Sequence, residues 1–291
     1  MKIIKYLLEF IIVIFLFIFF KLIGRKLSSD LGCKIAKNLG FKFKSKERTI
    51  ANIRRAFPTL DTLNEQKYLE EMWCNIGRTF SEYVYLKNFR EDSSHIILEG
   101  MEILDQIKST KKPTVFISGH FANFELMAME LDRNNLNIAA IYRPLNNIFL
   151  NPLMEFWRKK YICNFQIPKK IPGKEGNGTK ALLKAVHNKN NIAVMVDQAI
   201  TQGTKINFFN EPAFTTSIPS QLALKYNYQI VPISIKRLDK YYFKMKILNP
   251  IPIDPNNDNE QTIGVKINQE MEKIIIANPG QWIWTHNRWK V

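Results

Sequence analysis

A chain of 291 residues, 46% of them hydrophobic, is long enough to bury one large core unaided, which excludes small stapled folds and wholly disordered chains. Its 42 basic and 26 acidic residues leave a formal charge of +16, so the partners to expect are anionic: phospholipid headgroups, nucleic acid or an acidic carrier protein. Cys33, Cys74 and Cys163 are odd in number and lack C-x-x-C spacing, so they suggest neither a disulfide framework nor a zinc site and read as reduced, mostly buried cytosolic thiols.

The chain opens on YLLEFIIVIFLFIFF (6–20), apolar except for Glu9 and followed by Leu22 and Ile23. A membrane span needs about 20 residues, which Ile3 to Ile23 supplies only if Lys5, Glu9 and Lys21 lie near the headgroups. No small-x-small site follows Phe20, so an uncleaved single-pass anchor is expected over 1–25, with one domain over 26–291. Lys21, Arg25, Lys26, Lys34 and Lys37 after the segment outweigh Lys2 and Lys5 before it, which by the positive-inside rule leaves the domain in the cytoplasm.

Next comes a basic stretch in which TIANIRRAFP places Ile50, Ile53 and Phe57 at helical spacing, on the membrane surface or against the core. A long helix is expected over 64–86. The pattern then changes: PTVFIS (113–118) is a compact β-branched run, a buried strand. Similar runs at 137–143, 191–196 and 229–238, and a strand read by alternation at 241–248, alternate with helical stretches near 123–134, 147–161, 179–189, 217–226 and 263–277. Alternating strands and helices imply an α/β domain with a mixed, mostly parallel central sheet flanked by helices.

Four histidines are candidates for acid–base work: His95, His120, His187 and His286. His120 stands out because it follows a strand and a glycine and precedes a helix that Asn123 is placed to cap, and strand-to-helix loops are where α/β sites sit. Glu125 is its nearest acid in sequence, and the two can meet only if His120 lies before the helix begins. A carboxylate on one ring nitrogen would fix the tautomer and steady the imidazolium formed at the other. Asp197, closing another strand on the same sheet edge, is a second acid able to reach His120 or Arg143. His286 lies among Trp282, Trp284 and Trp289, which suit either core packing or a membrane interface, and reads as structural.

SGHFANFE resembles the H-x-x-x-x-D/E motif of the lysophospholipid acyltransferase superfamily, in the version found in bacterial lipid A late acyltransferases of the lauroyl/myristoyl type. NIRRAFP, YRP (142–144), DQ (197–198), FFNEPAFTT (208–216), VP (231–232) and QWIWTHNRWK resemble that family's other blocks, in order, so the likeness covers nearly the whole chain. Asn210 departs from the pattern, standing where the family usually has Gly. The resemblance implies that His120, oriented by Glu125, deprotonates a hydroxyl of a lipid A precursor (Kdo-lipid IVA type), which then attacks an acyl thioester on acyl carrier protein. Arg143, Asp197 and Gln198 would bind substrate; Arg143 suits a phosphate or a developing negative charge. No metal or redox cofactor and no nucleic acid are implied, and the setting is the cytoplasmic face of the bacterial inner membrane, among its phospholipids. Lys42, Lys44, Lys46, Arg54 and Arg55 form a candidate docking surface for the acidic carrier protein or for anionic lipid.

Other readings remain at this point. Another lipid acceptor, a glycerophospholipid or ornithine lipid, would fit the same chemistry. A different class is a membrane-tethered basic binding module in which His120 is merely packed. Nucleotide binding by GKEGNGTK (173–180) fails on context, since no Lys-Ser/Thr directly follows Gly178 and no clean strand precedes it.

Overall fold

The computed structural model describes residues 2–169, 177–200 and 203–290. The first part of the chain is helical: α1 (Lys2–Ile23), α2 (Arg25–Phe43), α3 (Lys46–Ala56), α4 (Thr62–Glu82) and α5 (Leu86–Glu91). Strands and helices then alternate through β1 (Ile96–Glu99), α6 (Met101–Thr110), β2 (Thr114–Ser118), α7 (Glu125–Arg133), β3 (Ile138–Tyr142), α8 (Leu150–Trp157), β4 (Phe165–Pro168), α9 (Asn177–His187) and β5 (Asn191–Met195). A hairpin of β6 (Thr204–Phe208) and β7 (Glu211–Thr215) precedes α10 (Ile218–Tyr226), β8 (Gln229–Asp239), β9 (Tyr242–Ile247) and α11 (Glu260–Ala277).

The central sheet has the order β1-β9-β8-β2-β5-β3-β4 and is parallel except where β9 returns antiparallel beside β8. This is the expected α/β class with a mixed, mostly parallel sheet. All five residues of β2 are buried, as a strand covered on both faces requires. Its alternate residues feed two cores: Val115 and Ile117 pack with α10, α11 and the C-terminal tryptophans, while Phe116 packs with α6 and α7. From β2 the chain crosses by α7 towards β3; from β5 it passes β2 and returns by α10 to β8. The strand order therefore reverses between β2 and β5, and in open α/β sheets the crevice at such a switch point is where ligands bind.

The helical expectations hold with shifted ends, and two open choices are settled. Ile53 of α3 is fully buried and Arg54 and Arg55 pair with Glu65 and Glu211, so this helix serves the core rather than a membrane surface. Trp282, Trp284 and Trp289 are core residues too, with their indole N–H groups bonded to Asp197, Pro279 O and Phe208 O. Asn210 replaces glycine without strain: with Phe209 it forms the two-residue turn of the β6–β7 hairpin, φ 50° and 63°, and Asn tolerates that left-handed region. The glycine pattern at 173–180 falls mostly outside the described residues, and α9 begins at Asn177.

The cysteines require a correction. Cys33 of α2 and Cys74 of α4 form a disulfide; only Cys163 is free, and it is buried. Their separation of 41 residues carries no hint of pairing, because what unites them is the crossing of two helices. The crossing is close: a Cβ on Gly77 would lie 2.0 Å from the carbonyl oxygen of Gly32. The cytoplasmic reading loses the support it drew from reduced thiols and rests on flanking charge alone. Gly77→Ala must push two backbones apart, so an overpacking loss of about 1–3 kcal/mol is expected, read from the denaturation midpoint of detergent-solubilised protein. A wild-type midpoint would refute this packing.

Candidate active site

Strand register builds the site. Ser118 of β2 lies opposite Met195 of β5, and Val196 N–H continues the ladder to Ser118 O at 3.0 Å. Two residues beyond each strand end stand His120 and Asp197. Gly119 permits the turn, because a Cβ there would meet the Phe121 ring at 2.6 Å and the Asp197 carboxyl carbon at 3.2 Å.

Asp197 takes His120 at two points: Oδ2 accepts the backbone N–H at 2.7 Å and Oδ1 bonds ring Nδ1 at 2.8 Å. The Trp282 indole N–H adds a third bond at 2.7 Å. Burial opposes ionisation of Asp197, but attraction to the His120 ring when that is protonated, together with these hydrogen bonds, outweighs it and holds the carboxyl well below the usual range. Asp197 is thus a fixed buried anion on one ring nitrogen. The other, Nε2, is 3.0 Å from the Gln198 amide nitrogen, which is also 3.0 Å from His286 Nε2. An amide NH2 carries two hydrogens and can serve both rings, leaving each Nε2 as acceptor and the His120 proton on Nδ1, facing Asp197.

His286, read from sequence as structural, therefore belongs to the site. Its backbone carbonyl accepts from Asn52 at 2.9 Å, tying the C-terminal segment to α3. Burial, with the charge of His120 second, pushes its imidazole down to about 4. Nothing local could have revealed it, since the segment reaches the site through an isolated bridge between Phe121 and Trp282. His95 is buried beside Phe89 and bonded to Asp92 O, and His187 is exposed on α9; neither reaches the site.

Glu125, expected to orient His120, does not. It opens α7 and accepts from Arg158 Nε at 2.9 Å and from the Tyr83 hydroxyl, a buried cluster that joins α7 to the turn after α8. The physical reason is helical geometry: Glu125 starts the helix facing α8, while His120 is drawn back across the sheet edge to Asp197. Asn123 does not cap the helix either; its amide donates to Glu82 at 2.9 Å.

Arg143 follows β3, exposed, with no ion-pair partner among the described residues. By register it stands beside Lys169, which follows β4. The Lys169 residue is exposed overall, yet desolvation of its ammonium lowers it from its ordinary value, against the opposing charge of Asp197 and with a smaller push from Arg143. The charges of Lys44 and Arg143 also act on His286, after the opposing charge of Asp197, so cations border the His120–Asp197 pair.

A buried network holds the loop from behind. Ala122, at φ 44°, gives its carbonyl to Thr79 Oγ1 at 2.9 Å and Asn75 Nδ2 at 3.2 Å. Arg237 binds Asn75 Oδ1 at 2.8 Å, Thr79 Oγ1 at 3.1 Å and the carboxylate of Glu82, which in turn receives Asn123. A cleft of about 690 Å³, lined by the Cys33–Cys74 pair, Arg78 and Lys240, abuts this network and not His120.

A histidine bonded to a buried carboxylate at the switch point of a parallel sheet, with a glutamine at its free nitrogen and cations alongside, has the makings of a general-base transferase of the α/β class. The chain belongs to the bacterial lipid A biosynthesis acyltransferase family, whose model matches residues 1–291. It is 22% identical over 267 residues to the lipid A biosynthesis lauroyltransferase of Escherichia coli (strain K12), covering 89% of this chain and 84% of that one. It is 24% identical over 245 residues to a lipid A biosynthesis acyltransferase of Haemophilus influenzae, covering 82% of this chain and 75% of that one.

Two outcomes follow from the geometry. Arg237→Met strands the buried Glu82 carboxylate, so stability should fall by about 3–5 kcal/mol; a loss within 0.5 kcal/mol (roughly the usual surface value) would show the network to be incidental. Because the folded chain holds His286 near 4 against 6.5 for the unperturbed group, the unfolded state binds more protons between those values. Stability should therefore fall as pH drops from 6.5 towards 4, and His286→Gln should flatten that slope in a pH series of denaturation midpoints, leaving the share of His95, also near 4. An unchanged slope would mean that His286 titrates normally.

Proposed function

We propose that the protein transfers a fatty acyl chain from acyl carrier protein to a hydroxyl of a lipid A precursor of the Kdo-lipid IVA type, with His120 as general base. The observation that carries this reading is the His120–Asp197 pair: Nδ1 held at 2.8 Å by a buried anion leaves Nε2 as the basic atom. The acceptor hydroxyl replaces the Gln198 amide at Nε2 and gives up its proton there, and its oxygen attacks the thioester carbonyl. The C–S bond breaks, an ester forms, and the imidazolium returns its proton to the departing carrier thiolate. Asp197 steadies the imidazolium between these steps. Gln198, freed from His120, is placed to donate to the developing oxyanion. Asp197 rather than Glu125 is the orienting acid in this scheme.

The cationic field of Arg143, Lys169 and Lys44 suits an acceptor that carries phosphates. The family supports lipid A chemistry. The apolar run of α1, mean hydropathy 2.7, supports residence in a membrane, which for this chemistry is the inner membrane with the site facing the cytoplasm. For carrier docking, Arg54 and Arg55 are engaged in ion pairs, and the exposed Lys42, Lys44 and Lys46 at the α2–α3 junction are the cations left for an acidic carrier.

His120→Ala and Asp197→Asn should each lower kcat by about 10²- to 10⁴-fold with unchanged circular dichroism. Retained transfer in either variant defeats the assignment of that residue. Mass spectrometry of lipid A from cells with and without the gene should show one secondary acyl chain lost; intact lipid A with an altered phospholipid or ornithine lipid would move the acceptor elsewhere. Charge reversal at Lys42 and Lys46 should raise the KM for the acyl carrier, and an unchanged KM rejects docking there.

A further inference from the structure

The N-terminal helix is not a free tether. Tyr6, Glu9, Phe10, Val13, Ile14, Phe17 and Phe20 form an inward stripe at helical spacing, half-buried or buried. Asn147 donates to Tyr6 O at 2.9 Å and to Glu9 Oε2 at 3.0 Å, which accounts for the one acidic residue in the apolar run. Phe149 lies 6.1 Å from Phe10 and Trp157 5.4 Å from Phe17, ring centre to ring centre, so α8 runs alongside α1 in the same direction. Further on, the Tyr85 hydroxyl donates to Phe20 O at 2.6 Å and Lys21 donates to Asn88 at 3.1 Å. From Tyr6 to Lys21, about 22 Å at 1.5 Å per residue, α1 is a wall of the domain.

The two sides of α8 differ. Inward, Glu155 accepts the Tyr142 hydroxyl at 2.6 Å, and the turn that follows delivers Arg158 to Glu125 beside the catalytic loop. Outward, Ile148, Pro152 and Phe156 are spaced four apart; Ile148 is 56% and Phe156 55% exposed, with Leu145 exposed nearby. An aligned row of bare apolar side chains next to a bare apolar helix costs free energy in water, and it ends at two exposed cations, Lys159 and Lys160. Lys160 lies 5.4 Å from the Phe156 ring, where it can snorkel.

We propose that α8, with the segments that lead into and out of it, is a second membrane-embedded element: Leu145, Ile148, Pro152 and Phe156 lie in the lipid hydrocarbon beside α1, and Lys159 and Lys160 sit among anionic headgroups. The occupant of this face is the bilayer because the face is continuous with α1, whose outward side chains from Ile3 to Leu22 have no other apolar medium. The catalytic loop then stands one helix away from lipid, and acyl chains reach it sideways. The proposal rests on α1 being embedded, as argued above.

The native thiols leave a clean background for labelling, since two are paired and Cys163 is buried. Ile148→Cys, Phe156→Cys, Ile12→Cys on the outer side of α1 and Leu183→Cys on the exposed side of α9 can each carry a maleimide nitroxide. In full-length protein reconstituted into phosphatidylethanolamine–phosphatidylglycerol vesicles, positions 148 and 156 should match position 12, with oxygen collisions favoured several-fold over a water-soluble nickel complex. Position 183 should favour nickel. Nickel-accessible labels at 148 and 156 beside an oxygen-accessible label at 12 would overturn the second element and leave α1 as the only anchor. A nickel-accessible label at 12 as well would overturn the membrane reading itself.

Discussion

The bond between His120 and Asp197 is the contact on which the site depends, and it is made by the sheet rather than by the loop that carries the histidine. Neither residue is inside a strand, yet the pairing of β2 with β5 fixes both: each stands two residues past a matched strand end. The buried carboxylate is tolerable only because it receives three hydrogen bonds, from the His120 backbone, the His120 ring and Trp282. Take away any of these and the anion is left short of partners in a dry place. Sheet register, the C-terminal tryptophan segment and the charge state of the site are therefore one arrangement.

Around that contact the molecule is layered. The tryptophan segment closes one side and brings His286 to Gln198. The helical N-terminal part closes another, where Thr79 and Asn75 of α4 grip the Ala122 carbonyl and Arg237 reaches across from β8 to lock them. A residue with positive φ such as Ala122 is strained by itself, and the two hydrogen bonds to its carbonyl help over-determine it. The third side belongs to α7 and α8, joined by Glu125 and Arg158, and beyond them lies α1.

Much of this was readable in advance, and the failures share a cause. β2, β3, β5 and β8 are or contain compact apolar runs with β-branched residues, and β9 alternates, and such local patterning announces itself. His120 was found because a strand, a glycine, a histidine and a helix occur in sequence. What escaped were the partners. Glu125 is near in sequence but points into a different cluster, while Asp197 is 77 residues away and meets the ring through strand pairing. His286, Arg158 and the cysteine pair were invisible for the same reason, since each owes its place to elements that cross in space. β1, β4 and both strands of the hairpin escape such reading because four or five residues each carry too little pattern.

The approach of Gly32 to Gly77 has a further meaning. Gly77 lies between Asn75 and Thr79 on one turn of α4, so the same turn that touches the backbone of α2 also grips the loop that carries His120. No side chain cushions the first contact, and the second is made of hydrogen bonds with narrow tolerance. The spacing between the backbone of α2 and the loop that carries His120 is thus gauged by the girth of a single helix.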